Sequence, residues 1–325
     1  IGLHAIVAIH NLKFGPAIGG TRFIEYEKTD DALFDVMRLA RGMTYKAAIS
    51  NLPHGGGKAV VLRPKNLGEA QREEIFAEFG KFVGSLNCKY ITCEDSGTKV
   101  SDMSVIKQLT DSVLGYSEID GSSGDPSPLT ALGVRRGIEA AANFKYGRND
   151  LQDLRVAVQG VGHVGYYLAK ELHEMGVKLT VTDINQEAID RCVAEFGAKV
   201  VAPDAIYSAE CDIFAPCALG AVINDNTIDQ LKCDIIAGAS NNQLLSAKHG
   251  AGLKERGILY APDYALNAGG LINVAHEFRG YDADKVREEV FEIYDTMMTI
   301  FERGASDDVP TDVIADRLVE EKLYS

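Results

Sequence analysis

No apolar run in this chain approaches the roughly 20 residues needed to cross a bilayer. A membrane-spanning protein is therefore not expected, nor is a secretory signal at the start of the sequence. The six cysteines (Cys88, Cys93, Cys192, Cys211, Cys217 and Cys233) are dispersed and form no C-x-x-C pair. Their dispersal argues against a disulfide framework or a zinc site and for reduced thiols in a cytoplasmic protein. The seven histidines contain no H-x-x-x-H or H-E-x-x-H pair, so no metal is expected. Basic charge is also scarce: 33 Lys and Arg stand against 47 Asp and Glu, a formal charge of -14. That balance favours solubility and argues against a nucleic-acid or anionic-membrane partner. No internal repeat or low-complexity segment is visible. The sequence opens at Ile1, inside an apolar run and without Met, which leaves room for a segment ahead of it.

What is present is an ordinary globular composition, 46% hydrophobic and 25% charged, over 325 residues. That length suggests two domains. A strand is expected at Leu3–His10, a helix from about Asp30 with Leu33, Val36, Met37 and Ala40 at helical spacing, and a second helix from about Leu67 to Val83 carrying Ile75, Phe76, Phe79 and Phe82. A short strand, Lys89–Cys93, ends at Glu94-Asp95. From Ser117 to Pro128 the composition turns to Ser, Gly, Asp and Pro, a loop that closes with Ser127 as N-cap and Pro128 at the first helical position. The expected division is 1–125 for one domain and 126–305 for the other. After residue 150, strands alternate with helices (Arg155–Gln159, Lys178–Thr182, Asp212–Ala215, Asp234–Ala237, Ile258–Ala261), the pattern of a doubly wound parallel sheet. Further helices are expected from Asp282 to about Arg303 and from Thr311 to Leu323.

Two stretches carry chemistry. Gly160-Val161-Gly162-His163-Val164-Gly165 is a G-x-G-x-x-G between a strand and a helix, and Asp183 closes the next strand. The glycines allow a tight turn, a close approach to a pyrophosphate and close helix packing, while the helix N-terminus attracts the phosphates. Asp183 accepts from ribose hydroxyls and repels a 2'-phosphate, and no arginine follows it closely. NAD rather than NADP is the expected cofactor. Earlier, Thr44-Tyr45-Lys46 precedes Gly55-Gly56-Gly57-Lys58. Read as a flexible turn, the three glycines would bring a backbone close to a ligand and present Lys58 ahead of an apolar strand. A lysine so held, with Lys46 as a second cation nearby, is suited to act as a base.

Seven strings in order carry a wider resemblance: Gly15–Arg22 (GPAIGGTR), Gly42–Lys46, Gly55–Lys58, Glu94–Thr98, Ala215–Gly220, Ala239–Gln243 and Asn267–Gly270. With these the chain resembles the amino-acid dehydrogenases of the glutamate/leucine/phenylalanine/valine family, nearest its leucine-acting branch, over essentially its whole length. The resemblance implies an α/β fold with an N-terminal substrate-binding and oligomerisation domain and a C-terminal Rossmann NAD-binding domain. It also implies a cleft that closes on an amino-acid substrate, C-terminal helix 306–325 returning to the first domain, and a homo-oligomer, either dimer or octamer. Lys58 would be the base that activates water, and Asp95 would exchange protons with the amino group. Lys46 would hold the α-carboxylate, helped by Gly19 and Gly20, with Met43 at the substrate and Asn267 at the amino group or nicotinamide ribose. Cofactor contacts would fall on Gly160, Gly162, His163, Val164, Gly165, Asp183, Thr130, Cys217, Ala218, Ala239, Asn241 and Asn267.

The implied reaction is reversible oxidative deamination to a 2-oxo acid and ammonia. In glutamate-acting members a lysine occupies the position of Ile18 and binds the distal carboxylate. Facing isoleucine, such a carboxylate would be buried at a cost of several kcal/mol, so an apolar side chain is expected against Ile18, Cys93, Leu271 and Val274. Leucine, valine and isoleucine fit that wall, the bulk of Leu271 and Cys93 leaving valine or isoleucine preference open. Phenylalanine and tryptophan dehydrogenases share most of these strings and are the rival reading. A non-catalytic NAD-binding sensor is the rival of another class, and it would be expected to lack one of Lys46, Lys58 and Asp95.

Overall fold

A computed structural model describes residues 2–116, 123–277 and 280–325. The first part of the expected loop, Ser117 to Ser122, lies outside the described residues. The chain forms two compact units, Ile1–Asp125 with Asn273–Asp282, and Pro126–Ile272 with Ala283–Ser325.

The first unit runs β1 (Ala5–Asn11), β2 (Ala17–Ile24), α1 (Thr29–Ile49), β3 (Gly55–Leu62), α2 (Glu69–Ser85), β4 (Tyr90–Glu94) and α3 (Val100–Lys107). Its sheet has the order β1-β3-β2-β4, with β1 antiparallel to β3 and the other pairs parallel. Because side chains alternate along a strand, the sheet has two distinct faces. One presents Ala17, Phe23, Ala59, Val61 and Tyr90, which pack with Ile75, Phe76, Phe79 and Val83 of α2 and with Met103 and Ile106 of α3. The other presents Val60 to Ala32 and Val36 of α1.

Two expectations are corrected here. The glycine triplet is not a turn but the beginning of β3, and none of the three has a positive φ. Their value is close packing: a Cβ on Gly56 would lie 2.0 Å from the Thr44 nitrogen of α1. The helix meets that bare strand with a small-residue face, Ala32, Val36, Ala40 and Thr44, all buried. The bulkier Leu33 and Met37 point to solvent instead, as does Phe82 on α2.

The second unit contains α4 (Ser127–Tyr146), β5 (Arg155–Gln159), α5 (His163–Glu174), β6 (Lys178–Thr182), α6 (Gln186–Phe196), β7 (Lys199–Val200), β8 (Ile213–Pro216), β9 (Ile235–Ile236), α7 (Ala247–Glu255), β10 (Leu259–Tyr260), α8 (Asp263–Leu266), the start of α9 (Gly269–Glu277), α10 (Ala283–Phe291), α11 (Ile293–Asp307) and α12 (Thr311–Tyr324). Its six strands are all parallel, in the order β10-β9-β8-β5-β6-β7. This is the doubly wound arrangement, with the strand order reversing beside β5. Pro126 takes the N-cap position of α4, one residue ahead of the expected Ser127.

The C-terminal helix departs from expectation. Residues 306–325 do not join the first unit; Ile314, Ala315, Val319 and Leu323 of α12 are buried, and the helix packs against α7, β10 and α11. The later segment that joins the first unit is Asn273–Asp282. Glu277 fastens it there, accepting hydrogen bonds from the backbone N–H groups of Gly115 (3.1 Å) and Ser123 (2.8 Å). Among the described residues no helix is long and apolar enough to cross a membrane.

Candidate active site

The α1 face of the first sheet gathers the reactive side chains. The pairings Thr21–Ala59 and Thr21–Glu94 place Lys58, Gly20 and Cys93 in one row across β3, β2 and β4. Gly20, in the middle, has no side chain, and Lys58 crosses this gap to donate a hydrogen bond to Asp95 Oδ2. A Cβ on Gly20 would sit 2.7 Å from the Asp95 Cβ. Lys58 is 5% exposed, so the ion pair lies in a medium where charges interact far more strongly than in water.

Asp95 begins the loop after β4, and several hydrogen bonds hold that loop. Its own N–H donates to Thr98 Oγ1 (2.8 Å), and the Thr98 hydroxyl bonds the Thr21 carbonyl (3.1 Å). The Phe23 N–H donates to the Ser96 carbonyl (2.9 Å). Burial by itself would push the Asp95 carboxyl up. The Lys58 ammonium, the Ser96 N–H and the Arg22 guanidinium outweigh it and hold the group at about 2. The Cys93 thiol goes the other way: burial, against the opposing charge of Lys58, pushes it up to about 12. A thiol so placed stays neutral and lacks the thiolate character of a nucleophile.

Ile18 is buried on β2, paired with Gly56 and Ile91. Gly19, its neighbour, has its carbonyl fixed by the hydroxyl of fully buried Tyr90 (2.6 Å). Met43 and Lys46 are half-buried on α1, Lys46 in its last turn. Val274 belongs to the Asn273–Asp282 segment of this unit, whereas Leu271 and Asn267 belong to the second unit. Among the described residues, no group of three or more His, Cys, Asp and Glu is arranged to hold a metal ion.

In the second unit the glycine motif joins β5 to α5. Gly160 needs its left-handed φ of 91°, and a Cβ there would strike Ala218 at 2.7 Å. A Cβ on Gly165 would lie 2.0 Å from the Gly160 carbonyl oxygen, which fixes the close approach of helix to loop. A Cβ on Gly162 would meet nothing within 4 Å, and α5 starts at His163 without a side-chain cap. Open space beside an uncapped helix N-terminus suits a pyrophosphate. Asp183, just past β6, accepts from the N–H groups of Val161 (2.7 Å) and Asn185 (2.9 Å). It thereby ties the glycine loop to the strand that would carry the ribose contact.

Other expected cofactor residues cluster at the same sheet edge. The Cys217 N–H donates to the Gln159 carbonyl (2.7 Å), and the Ala239 N–H lies 3.5 Å from Cys217 Sγ. Asn267 Nδ2 donates to the Ala239 carbonyl (2.9 Å) and to Asn241 Oδ1 (2.8 Å). Thr130 is on α4, bonded to the Pro126 carbonyl (3.0 Å). Cys217 and Ala218 follow β8, and Ala239 and Asn241 follow β9, so these residues lie just past the carboxyl ends of strands on one side of β5, where doubly wound sheets take their ligands.

Three residues that the sequence did not single out, Arg22, Tyr90 and Thr98, touch the groups of this site. Arg22 was visible within the GPAIGGTR string. Strand alternation puts it on the face of Ile18 and Gly20, two residues on, and that signal could have found it. Tyr90 and Thr98 gave no comparable signal, because their roles depend on cross-strand partners.

Comparison with known proteins adds independent findings. Residues 2–112 match the family described as Glu/Leu/Phe/Val dehydrogenase, dimerisation domain, and residues 121–186 and 180–307 match Glutamate/Leucine/Phenylalanine/Valine dehydrogenase. Over 322 residues the chain is 52% identical to a leucine dehydrogenase from Geobacillus stearothermophilus, covering 99% of this chain and 87% of that protein. It is 46% identical over 323 residues to an L-tryptophan dehydrogenase from Nostoc punctiforme, covering 99% of this chain and 90% of the relative. A crystal structure of L-tryptophan dehydrogenase from Nostoc punctiforme superposes with a TM-score of 0.87 at 44% identity, covering 99% of this chain and 92% of the other.

Proposed function

The chain belongs to the glutamate/leucine/phenylalanine/valine dehydrogenase family and is an amino-acid dehydrogenase, and from that premise we propose that it catalyses reversible, NAD-dependent oxidative deamination of branched-chain L-amino acids. The observation that carries this reading is the buried Lys58–Asp95 pair laid across side-chain-free Gly20. A nicotinamide bound by the second unit would supply the acceptor for the hydride of the substrate α-carbon. Lys58 then takes a proton from the water that attacks the resulting imino carbon, and Asp95 exchanges protons with the departing amino group. Lys46 anchors the α-carboxylate as a charge-assisted partner, with backbone groups of Gly19 and Gly20. Asn267 orients the amino group or the nicotinamide ribose.

NAD, not NADP, is favoured by Asp183, whose charge opposes a 2'-phosphate. Pyrophosphate contacts fall on Gly160, Gly162, His163, Val164 and Gly165, with Thr130, Cys217, Ala218, Ala239 and Asn241 completing the cofactor set. Ile18, Cys93 and Val274 supply apolar contacts to the substrate side chain, and Leu271 a further one. Leucine, valine and isoleucine are the proposed substrates. The protein is proposed to work in the cytoplasm as a homo-oligomer, dimer or octamer. Sedimentation velocity distinguishes those states, and a monomer would contradict the proposal.

NADH formation from leucine, isoleucine, valine, phenylalanine, tryptophan and glutamate tests the substrate assignment. A kcat/KM highest among the branched aliphatic substrates is expected. Higher values for phenylalanine or tryptophan would replace it with the aromatic reading, whose support is the 46% identity to the tryptophan dehydrogenase beside 52% to the leucine dehydrogenase.

A further inference from the structure

Asp95 has a second cation beside it. Arg22 Nε lies 3.4 Å from Asp95 Oδ1, on the side of the carboxylate away from Lys58. That Nε is shut off from solvent yet has no hydrogen-bond acceptor at this separation. The rest of the guanidinium is anchored: Nη1 donates to Asp35 Oδ2 of α1 (2.9 Å), which also accepts from the Tyr26 hydroxyl (2.7 Å). A chain of charges thus runs from Asp35 through Arg22 and Asp95 to Lys58, linking the helix to three neighbouring strand segments.

We propose that Arg22 is a positioning residue for the reaction, locked by Asp35 and Tyr26 so that its guanidinium keeps the Asp95 carboxyl aimed at the site while Lys58 gives up and regains its proton. This rests on the proposed roles of Lys58 and Asp95. Whenever Lys58 becomes neutral, Asp95 loses its main counter-ion in a poorly hydrated site, where an unpaired charge is costly. Arg22 keeps its charge at any working pH, so it supplies the compensation throughout the cycle. The charged and titratable groups facing Asp95 are Lys58 on β3, Arg22 on β2 and Cys93 on β4. Glu94 and Glu277 act on Cys93, and Asp95, Asp35 and Tyr26 act on Arg22.

Steady-state kinetics of Arg22→Gln, Arg22→Lys and Asp35→Asn, alone and combined with Asp95→Asn, test the proposal. Arg22→Gln is expected to lower kcat by about 10- to 100-fold, the scale of a misaimed catalytic group, with little change in amino-acid KM or NAD affinity. With one cation gone, the remaining pair holds its proton to higher pH, so the acid limb of kcat/KM should move upward by about half a unit to one unit. Arg22→Lys should return the limb to its wild-type position while leaving kcat reduced. On the Asp95→Asn background, Arg22→Gln should change the residual rate by less than about twofold. A wild-type kcat and pH profile in Arg22→Gln would overturn the proposal. So would a loss of the same size on the Asp95→Asn background, which would mark a merely structural role. Should Arg22→Gln fail to fold, Asp35→Asn carries the same test, with a severalfold loss of kcat that vanishes beside Asp95→Asn. Wild-type turnover in Asp95→Asn alone would overturn the underlying reading, and this one with it.

Discussion

Lys58 and Asp95 are meaningful only as a pair. Asp95 is held at about 2 against 3.8 for a free aspartate, so the folded state favours its ionised form. That stabilisation is fully present above the unfolded value and is lost as pH falls from about 4 through 2, and it is worth on the order of 2 kcal/mol. Asp95→Asn should therefore cost about 2 kcal/mol or more at pH 7, where it leaves a buried ammonium unpaired. The deficit should shrink toward zero below pH 2. Urea unfolding of both proteins at several pH values measures it, and a pH-independent difference would argue against the pair. Gly20 offers a sharper steric test. Alanine there puts a Cβ 2.7 Å from the Asp95 Cβ and 2.8 Å from the Glu94 carbonyl, enough to break the alignment. A loss of about 100-fold or more in kcat is expected, and stopped-flow or steady-state assays would reveal an unaffected rate. Lys58, Asp95 and Gly20 were legible from the sequence through their strings. Arg22 stood in one of those strings too, and strand alternation gave its face, but its partners did not show, because a lone arginine on a strand takes its meaning from the carboxylates that folding brings to it.

Secondary structure explains why the glycine triplet stands where it does. Read along the chain, three glycines before a lysine signal flexibility. In the sheet they are extended, and the bareness of Gly56 lets α1 lie directly on β3, while Gly55 and Gly57 lie close against Asn11 and Tyr90. The start of α1, the extent of α2 and the dinucleotide unit were readable from periodicity and motif, whereas the run of α1 on to Ile49 was not. Which face of α1 turns inward was not: Leu33 and Met37 satisfy helical spacing, but the flush contact at Gly56 and Thr44 admits only small residues. Gly56→Ala should push α1 off the strand, lowering the melting temperature and raising the amino-acid KM, since Lys46 lies two residues beyond Thr44 on the displaced helix. A thermal scan with substrate titration checks both. At the glycine loop, Asp183→Ala removes the acceptor that holds the Val161 N–H. NAD should bind about 10-fold or more weakly, the scale of losing a charged hydrogen bond, and discrimination against NADP should relax. Retained strict preference for NAD in a titration of both nucleotides would contradict the contact assigned to Asp183.

For the molecule as a whole, the sequence patterns foretold two α/β units, one of them doubly wound. They did not foretell that Asn273–Asp282 belongs with the first unit while α12 stays with the second. That outcome is set by long-range anchors, Glu277 on Gly115 and Ser123 in one unit and the buried stripe of α12 in the other, which no local pattern encodes. The units divide the candidate site: the first holds the Lys58–Asp95 ion pair and the second the dinucleotide motif. The most direct test of that division is the turnover of Lys58→Ala measured together with its NAD affinity. Turnover should fall by several orders of magnitude, with NAD binding by calorimetry unchanged and the circular dichroism spectrum that of the wild type. Wild-type turnover in this folded, NAD-binding variant would contradict the assignment of Lys58 as the base.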